Sequence, residues 1–374
     1  MIDTEACPHG LMEEIGTLAR EVRDVLDAGL PARQRAAGIH SAFAKRGYHA
    51  LVVPRESGGR GLDHLTAGLI YEALSYELPG TLHGTMTTAH CALMISSGLT
   101  NEFHLERLEA IAGEDHPGAF CLTERDAGSD IGAVGTRAET IPGGFTITGE
   151  KAIAINHAIA KTLVVFATLP PASGRAALNA FVVDPSAEGI RQGPALDTPG
   201  MAGGILGPIS FDRARVPHEC LLGERGSGYL LFMETLDKGR PLVAACCTGE
   251  ADRALDCAID HARKRYQFGK PLYAFQDVSF RIAELSTRLK AARLLWKDAL
   301  ERIDRGRPFT MEASMAKLFA SSTLMDIASF ALELTGYRSV GRNTELERIY
   351  HGARLMKSID GTEAVQKMVI ASQL

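Results

Sequence analysis

The chain has 374 residues, of which 45% are hydrophobic and 23% charged, with a formal net charge of −5. That length supports two or three domains with sizeable cores. A mildly acidic balance with no basic block argues against a nucleic-acid partner, and no apolar run reaches the ~18 residues of a membrane span.

Residues 8–112 read mostly as helix. LMEEIGTLAREVRDVL and HLTAGLIYEALSYEL repeat apolar residues at three-to-four spacing. Between them, VPRESGGRGLDHL is a glycine-rich break with Asp63 placed to cap the second helix. No βαβ pattern surrounds those glycines and no Lys-Ser/Thr follows, so a turn is a better reading than a phosphate loop. From 117 to 228 the character changes. FTITG, TLVVFAT, LNAFVVD and GPISFDRARV are short β-rich runs separated by Gly, Pro and Asp, which predicts a compact antiparallel barrel or sandwich. From 229 onward four long amphipathic stretches return, beginning at GYLLFMETLDKGR, FQDVSFRIAEL, TMEASMAKLF and TELERIYHGAR. Helices of that length predict a bundle. The order helices, strands, helices argues against a parallel α/β sheet. The expected class is α+β, with an N-terminal helical domain over 1–116, a central β-domain over 117–228 and a C-terminal helical bundle over 229–374.

Seven cysteines, Cys7, Cys91, Cys121, Cys220, Cys246, Cys247 and Cys257, are scattered without a CxxC pair. Neither a disulfide framework nor a zinc site is expected. His218-Glu219-Cys220 lacks a second ligand pair, so no metal is predicted. MIDTEACPHGLMEEIG has acids where a signal peptide has bases, and a cytoplasmic protein is expected.

Four segments carry candidate chemistry. FCLTERDAGSDIGAVGTRAE concentrates turn formers and hydroxyls, and Thr123, Gly128 and Ser129 present a hydroxyl and backbone N–H groups suited to an anion. GEKAIAINHAIAKTLVVFAT, RKRYQFGKPLYAFQ and IDGTEAVQ follow in that order. Together they resemble the acyl-CoA dehydrogenase family. The first is close to TEPGAGSD, the second to G-x-K-x-W-I-T-N, the third to R-x-x-FG-x-x-x-x-x-x-Q and the fourth to YEGT-x-x-x-Q with Asp in place of Glu.

The resemblance implies a helical domain, a central β-barrel and a four-helix bundle, with FAD between barrel and bundle. It also implies a dimer or a dimer of dimers, in which a neighbouring subunit completes the cofactor site. By position, Thr123 matches the threonine at the flavin ring edge and Ser129, beside Gly128, the serine near the pyrophosphate. Arg265, Gln267, Phe268 and Gln276 fall on the segment that crosses the dimer interface to FAD, where a guanidinium suits phosphate oxygens. Glu333 and Gly336 fall on the Q-x-x-GG stretch that approaches a neighbour's FAD, and Thr362 falls on a cofactor-phosphate contact. Ile153 and Ile155 replace the tryptophan and threonine of the flavin strand, leaving only Asn156 of that motif. Loss of a hydrogen bond at the ring edge would alter flavin electronics. Tyr337 replaces the second glycine, and the acid at 333 is expected to point away from phosphates.

The reaction implied is α,β-dehydrogenation of an acyl thioester carried by CoA or an acyl carrier protein. A carboxylate takes the α-proton, a hydride goes to flavin N5, and the electrons pass to an acceptor such as an electron-transfer flavoprotein. Asp360 occupies the place of the base, and an apolar pocket would strengthen it. Its side chain is shorter than glutamate by roughly 1.5 Å. The family's alternative position for the base, one residue before the arginine of DKxR, holds Gly239. Two further readings stay open: a flavin oxidase resembling nitroalkane oxidases, which use aspartate as base, and a non-catalytic FAD-binding or partner-binding subunit.

Overall fold

The computed structural model describes residues 10–339, 341 and 344–374. Cys7 lies outside the described residues. The N-terminal region contains α1 (Leu11–Asp27), α2 (Ala32–Ala44), α3 (His64–Glu77), α4 (His83–Ser97) and α5 (Glu102–Gly113). On α1 the residues Leu11, Ile15, Leu18, Ala19 and Val22 are buried, one stripe of a 3.6-residue period. Asp63 caps α3 as expected, accepting from Thr66 N at 2.7 Å. Helix α4 is different: every residue from His83 to Ile95 is buried. It has no solvent face and therefore no amphipathic signature.

The β-region holds β1 (Gly118–Cys121), β2 (Arg137–Ile141), β3 (Gly144–Ile155), β4 (Thr162–Thr168), β5 (Leu178–Val183), β6 (Ile190–Gln192), β7 (Leu206–Pro217) and β8 (Leu221–Leu222). They form one sheet in the order β6-β7-β3-β2-β4-β5-β8, with β1 joined to β4. The expectation of a purely antiparallel arrangement is corrected: β1 pairs with β4 in parallel, and so does β2. Neither pair is joined by a hairpin, and a parallel neighbour needs such a longer connection. The long strands β3 and β7 pair antiparallel from Gly144↔Pro217 to Ile155↔Leu206, with two register irregularities.

The C-terminal region comprises α6 (Gly228–Lys264), a small hairpin β9 (Tyr266–Gln267) and β10 (Lys270–Pro271), α7 (Gln276–Asp304), α8 (Thr310–Thr335), α9 (Glu345–Met356) and α10 (Glu363–Gln373). The four expected helices are present. A fifth, α10, follows the break that contains Asp360. The stretch Thr310–Ser339, α8 and the turn after it, is long and apolar enough to cross a membrane by length and composition, which differs from the sequence-based expectation. Of its most apolar window 56% is buried inside the protein, as suits a bundle helix.

One core cluster runs from α1–α3 through α6–α9, so the two helical regions share an interior. A second joins α4 and α5 to β4, β5 and the first turns of α6, and a third fills the sheet. At the seam of the helical regions, Arg293 on α7 pairs with Glu72 on α3 at 2.6 Å and Asp252 on α6 at 3.0 Å. Trp296 Nε1 donates to Thr248 Oγ1, which lies 2.8 Å from Glu72 Oε1. Gly68 and Gly249 let these helices close up, since a Cβ at either would overlap Leu300 or the Glu72 carbonyl.

Glu250 on α6 is 1% exposed. Its Oε1 accepts from Gly80 N at 2.9 Å, while Oε2 has no hydrogen-bond partner among the described residues. Burial pushes its carboxyl up from 4.5 to about 7. A raised carboxyl favours folding below the unfolded value, and that contribution is lost as pH rises through the folded one. Glu250→Gln should therefore exceed the parent in stability by about 3 kcal/mol at pH 8, with less than half of that gain left at pH 5. Urea melts at the two pH values measure this, and a gain independent of pH would contradict it.

Candidate active site

Asp360 stands in the turn between α9 and α10 with φ 53, followed by Gly361 with φ 95. Aspartate is one of the few side chains that tolerate this left-handed conformation. The turn is fixed by donors from three helices. Arg240 Nε on α6 donates to the Asp360 carbonyl at 3.2 Å, and Lys317 Nζ on α8 donates to the Gly361 carbonyl at 2.8 Å. Gln366 Nε2 on α10 reaches both carbonyls at 2.9 Å. All three side chains are essentially buried. Burial lowers the pKa of Arg240 and of Lys317, and the nearby Asp360 carboxylate works against that fall in both. Arg240 also pairs with Asp237 at 2.6 Å, whose other oxygen accepts from Thr310 Oγ1 at 2.8 Å.

The Asp360 side chain is 13% exposed, and its Oδ2 is buried with no hydrogen-bond partner among the described residues. Across from it, 3.6 Å away, is His90 Nε2 on α4, which is likewise buried and without a hydrogen-bond partner. The imidazole lies against Gly239, where a Cβ would overlap His90 Nε2. The spacing of the sequence motifs pointed to Asp360 and Gly239 but not to His90. Lys317 and Gln366 were also missed as functional positions, although Gln366 is the last residue of the motif that contains Asp360.

On the sheet, Thr123 follows β1 and its carbonyl accepts from Ala152 N at 2.9 Å, which sets it beside β3. Ile153 and Ile155 are half-buried, while Ala154 between them points into the core. Gly128 and Ser129 are exposed, and a Cβ at 128 would meet Thr123 Cγ2 at 3.8 Å. The loop holding Thr123 to Ser129 is secured by a residue that motif reading passed over. Glu124 accepts from Gly135 N (2.7 Å), Thr136 N (3.0 Å), Thr136 Oγ1 (2.6 Å) and Lys151 Nζ (2.7 Å). Asn156, with φ 67 and fully buried, is turned inward: its Nδ2 lies 2.8 Å from Gly84 O, 3.0 Å from Gly118 O and 3.3 Å from Thr88 Oγ1.

The remaining positions gather elsewhere. Phe268 and Gly269, with φ 51 and 78, make the two-residue turn of the β9–β10 hairpin at the end of α6. Phe268 is 93% exposed, and Arg265, Gln267 and Gln276 are exposed beside it. Arg265 makes no side-chain hydrogen bond or ion pair among the described residues. Burial, then Arg338, then Arg265 lower the pKa of His261, so the end of α8 lies near the same corner. Gly336 ends α8 and is exposed. Glu333 pairs with Arg281 at 2.9 Å. Thr362 caps α10, accepting from Val365 N at 3.4 Å.

A flavin dinucleotide needs an apolar face for its ring, polar groups at the ring edge and cations for its phosphates. Ile153 and Ile155 beside Thr123 would offer a face and a hydroxyl, Gly128 and Ser129 an open turn, and Arg265 an uncommitted guanidinium. The residues present fit that group in two separate patches, one on the sheet and one on the hairpin.

The chain matches the acyl-CoA dehydrogenase N-terminal domain over residues 12–114, the middle domain over 119–214 and the C-terminal domain over 226–374. It is 34% identical over 345 residues to the 3-(aryl)acrylate reductase of Clostridium sporogenes (strain ATCC 15579), covering 90% of this chain and 89% of that one. It is 33% identical to the caffeyl-CoA reductase-Etf complex subunit CarC of Acetobacterium woodii, covering 90% and 89%. Among solved structures, the FAD complex of PigA superposes with a TM-score of 0.88 at 25% identity, covering 98% of this chain and 97% of that one.

Lys151 is fully buried, and burial lowers its pKa against the pull of Glu124. Glu124→Ala leaves that ammonium without its counter-charge and should destabilise the protein by about 3–5 kcal/mol. A melting curve that matches the parent would show that the pair is not what holds the loop.

Proposed function

The chain belongs to the acyl-CoA dehydrogenase family, FAD-dependent oxidoreductases acting on CH–CH bonds, and from that premise we propose that it dehydrogenates an acyl thioester with Asp360 as the base. The observation that carries this reading is the Asp360 carboxylate itself. Its backbone is locked in a left-handed turn by Arg240, Lys317 and Gln366, and one of its oxygens is buried without a partner. A surface acid at a helix break would need neither the three buried donors nor the partnerless oxygen. A base must sit within hydrogen-bond reach of the proton it removes and must hold its place, and a locked turn provides this.

FAD, when bound, accepts the hydride leaving the β-carbon. Thr123, Gly128, Ser129, Ile153 and Ile155 would hold its ring and pyrophosphate from the sheet. Arg265, Gln267, Phe268, Gln276, Glu333 and Gly336 would reach the cofactor of a second copy, with Arg281 offsetting the charge of Glu333. Thr362 keeps its hydroxyl proton available for a phosphate oxygen while its lone pair caps α10. A homo-oligomer, a dimer or a dimer of dimers, follows from this division of the site. It would also cover Phe268 and Tyr337, exposed by 93% and 81%.

The acyl carrier is CoA or an acyl carrier protein, and the acyl group is short or polar. Buried polar atoms at Asp360 and His90, together with the absence of an aromatic ring at 153, favour such a substrate over a long alkyl chain. The electron acceptor is an electron-transfer flavoprotein, a reading supported by the relative from Acetobacterium woodii named as part of an Etf complex.

The test is anaerobic bleaching of the yellow protein by a panel of thioesters: butyryl-CoA, octanoyl-CoA, 3-phenylpropionyl-CoA and prolyl-loaded carrier protein. Reoxidation of the dithionite-reduced protein by the matching enoyl thioesters reads the reverse direction. A protein that no thioester reduces or reoxidises is not a dehydrogenase, and turnover with O₂ alone would establish the oxidase reading. Asp360→Asn should retain FAD and slow flavin reduction by about 10²–10⁴-fold. Unaltered rates would remove Asp360 from the role of base. Arg265→Ala should weaken FAD retention roughly 10- to 100-fold, measured by fluorescence on dilution, and unchanged retention would remove Arg265 from the cofactor site.

A further inference from the structure

We propose that His90 is a positioning residue for Asp360: its Nε2–H donates to Oδ2 and holds the short carboxylate with Oδ1 toward the substrate. This rests on the reading of Asp360 as base. Four observations support it.

First, the two atoms are each other's available partner. His90 Nε2 and Asp360 Oδ2 are both buried without a hydrogen bond and lie 3.6 Å apart. A buried polar atom left unpaired costs roughly 1–3 kcal/mol. Rotation of either side chain by a few tenths of an ångström brings them to hydrogen-bond length.

Second, the cations near Asp360 are committed elsewhere. Arg240 gives Nε to the Asp360 carbonyl and its NH1 group to Asp237. Lys317 gives its ammonium to the Gly361 carbonyl. These contacts fix the backbone of the turn; among the described residues no hydrogen bond or ion pair joins either cation to the carboxylate, and His90 Nε2 is the nitrogen that faces Oδ2. Around the pair stand two cations on which the Asp360 charge acts, Arg240 on α6 and Lys317 on α8, with Asp237 facing Arg240 and Glu363 acting on Lys317.

Third, α6 is notched to admit the ring. Any side chain at 239 would overlap His90 Nε2. Glycine at 239 thus does more than lack a carboxylate, because it makes the space in which the imidazole meets Asp360.

Fourth, the pair answers the short reach of aspartate. A base displaced by about 1 Å loses on the order of 10²-fold in rate. A donor on Oδ2 fixes which way the carboxylate faces and removes the freedom that a retracted side chain otherwise has.

The test uses the FAD-loaded protein and two substitutions. His90→Gln keeps an N–H donor near the position of Nε2, and His90→Leu removes it. With whichever thioester of the panel above bleaches the flavin fastest, His90→Leu should lower the limiting rate of reduction by about 10- to 100-fold. The half-saturating concentration should change little, and His90→Gln should recover most of the rate. A second readout does not depend on turnover. In the ¹H–¹⁵N spectrum of the holoprotein, the His90 Nε2 proton should appear downfield and should vanish or shift strongly in Asp360→Asn. If Asp360→Asn reduces its flavin at the parent rate, the reading of the base fails. If Asp360→Asn is slow while His90→Leu is as fast as the parent, or if the imidazole signal ignores Asp360→Asn, the base stands and the pairing with His90 is overturned. Should His90→Leu fail to fold, the imidazole signal in Asp360→Asn alone decides.

Discussion

The geometry of the site depends on how closely α4 approaches the elements on either side of it. Three glycines set those approaches. A Cβ at Gly118 would meet Cys91 at 2.9 Å, one at Gly84 would overlap the Gly203 carbonyl, and one at Gly239 would overlap His90. Thr88 ties the same helix down, lying 3.1 Å from Gly118 N, 3.3 Å from Asn156 Nδ2 and 3.2 Å from His40 Nε2. Most polar groups on a buried helix find partners. Here Thr88 finds several and, with Asn156, clamps sheet to helix, whereas His83 Nε2, Thr85 Oγ1 and His90 Nε2 have none among the described residues; the imidazole of His90 is carried to the far side, toward Asp360.

Helix α6 makes the complementary crossing. Leu231, Phe232 and Leu236 belong to the core shared with the sheet, whereas Leu242 and Val243 belong to the core shared by the helical regions. Between these two groups lie Asp237, Gly239, Arg240 and Pro241. The change of core leaves a short stretch of helix where polar and small residues are tolerated, and the site is assembled there. Arg240 and Lys317 carry charge deep into the molecule, which is costly unless each finds oxygen ligands. They find them in the carbonyls of a turn whose conformation does not let it bond to itself. The unusual backbone of Asp360 and the buried cations therefore sustain each other.

Much of this was legible in the sequence, and the illegible parts share a cause. Helix α1, helix α3 with its Asp63 cap, and strands β4, β5 and β7 could be read because each has a periodic face or local turn chemistry. Helix α4 lacks a wet face, so its length and its role did not show. Helix α10 was hidden because the left-handed turn at 360–361 looks like the end of a helical region rather than a joint within one. The order of four motifs identified the family and pointed to Asp360 as a candidate, but not to what individual side chains touch. The Glu124–Lys151 pair joins residues 27 positions apart, and the meeting of His90 with Gly239 and Asp360 spans most of the chain. No local pattern encodes such encounters. Where positional analogy named a contact, as for Glu333 and Thr362, the structure adds an ion pair with Arg281 and a helix cap that analogy alone did not supply.

The notch at Gly239 also bears on the history open to this chain. Moving the acid to α6 requires a side chain at 239. That side chain meets His90, so residue 239 cannot change first without evicting the imidazole. Replacing His90 first leaves Asp360 Oδ2 facing a void. On that geometry each single change would carry a cost that the paired change would relieve. On the proposed reading of Asp360, substitutions at 90 and 239, positions 149 residues apart in the chain, should therefore be coupled rather than additive.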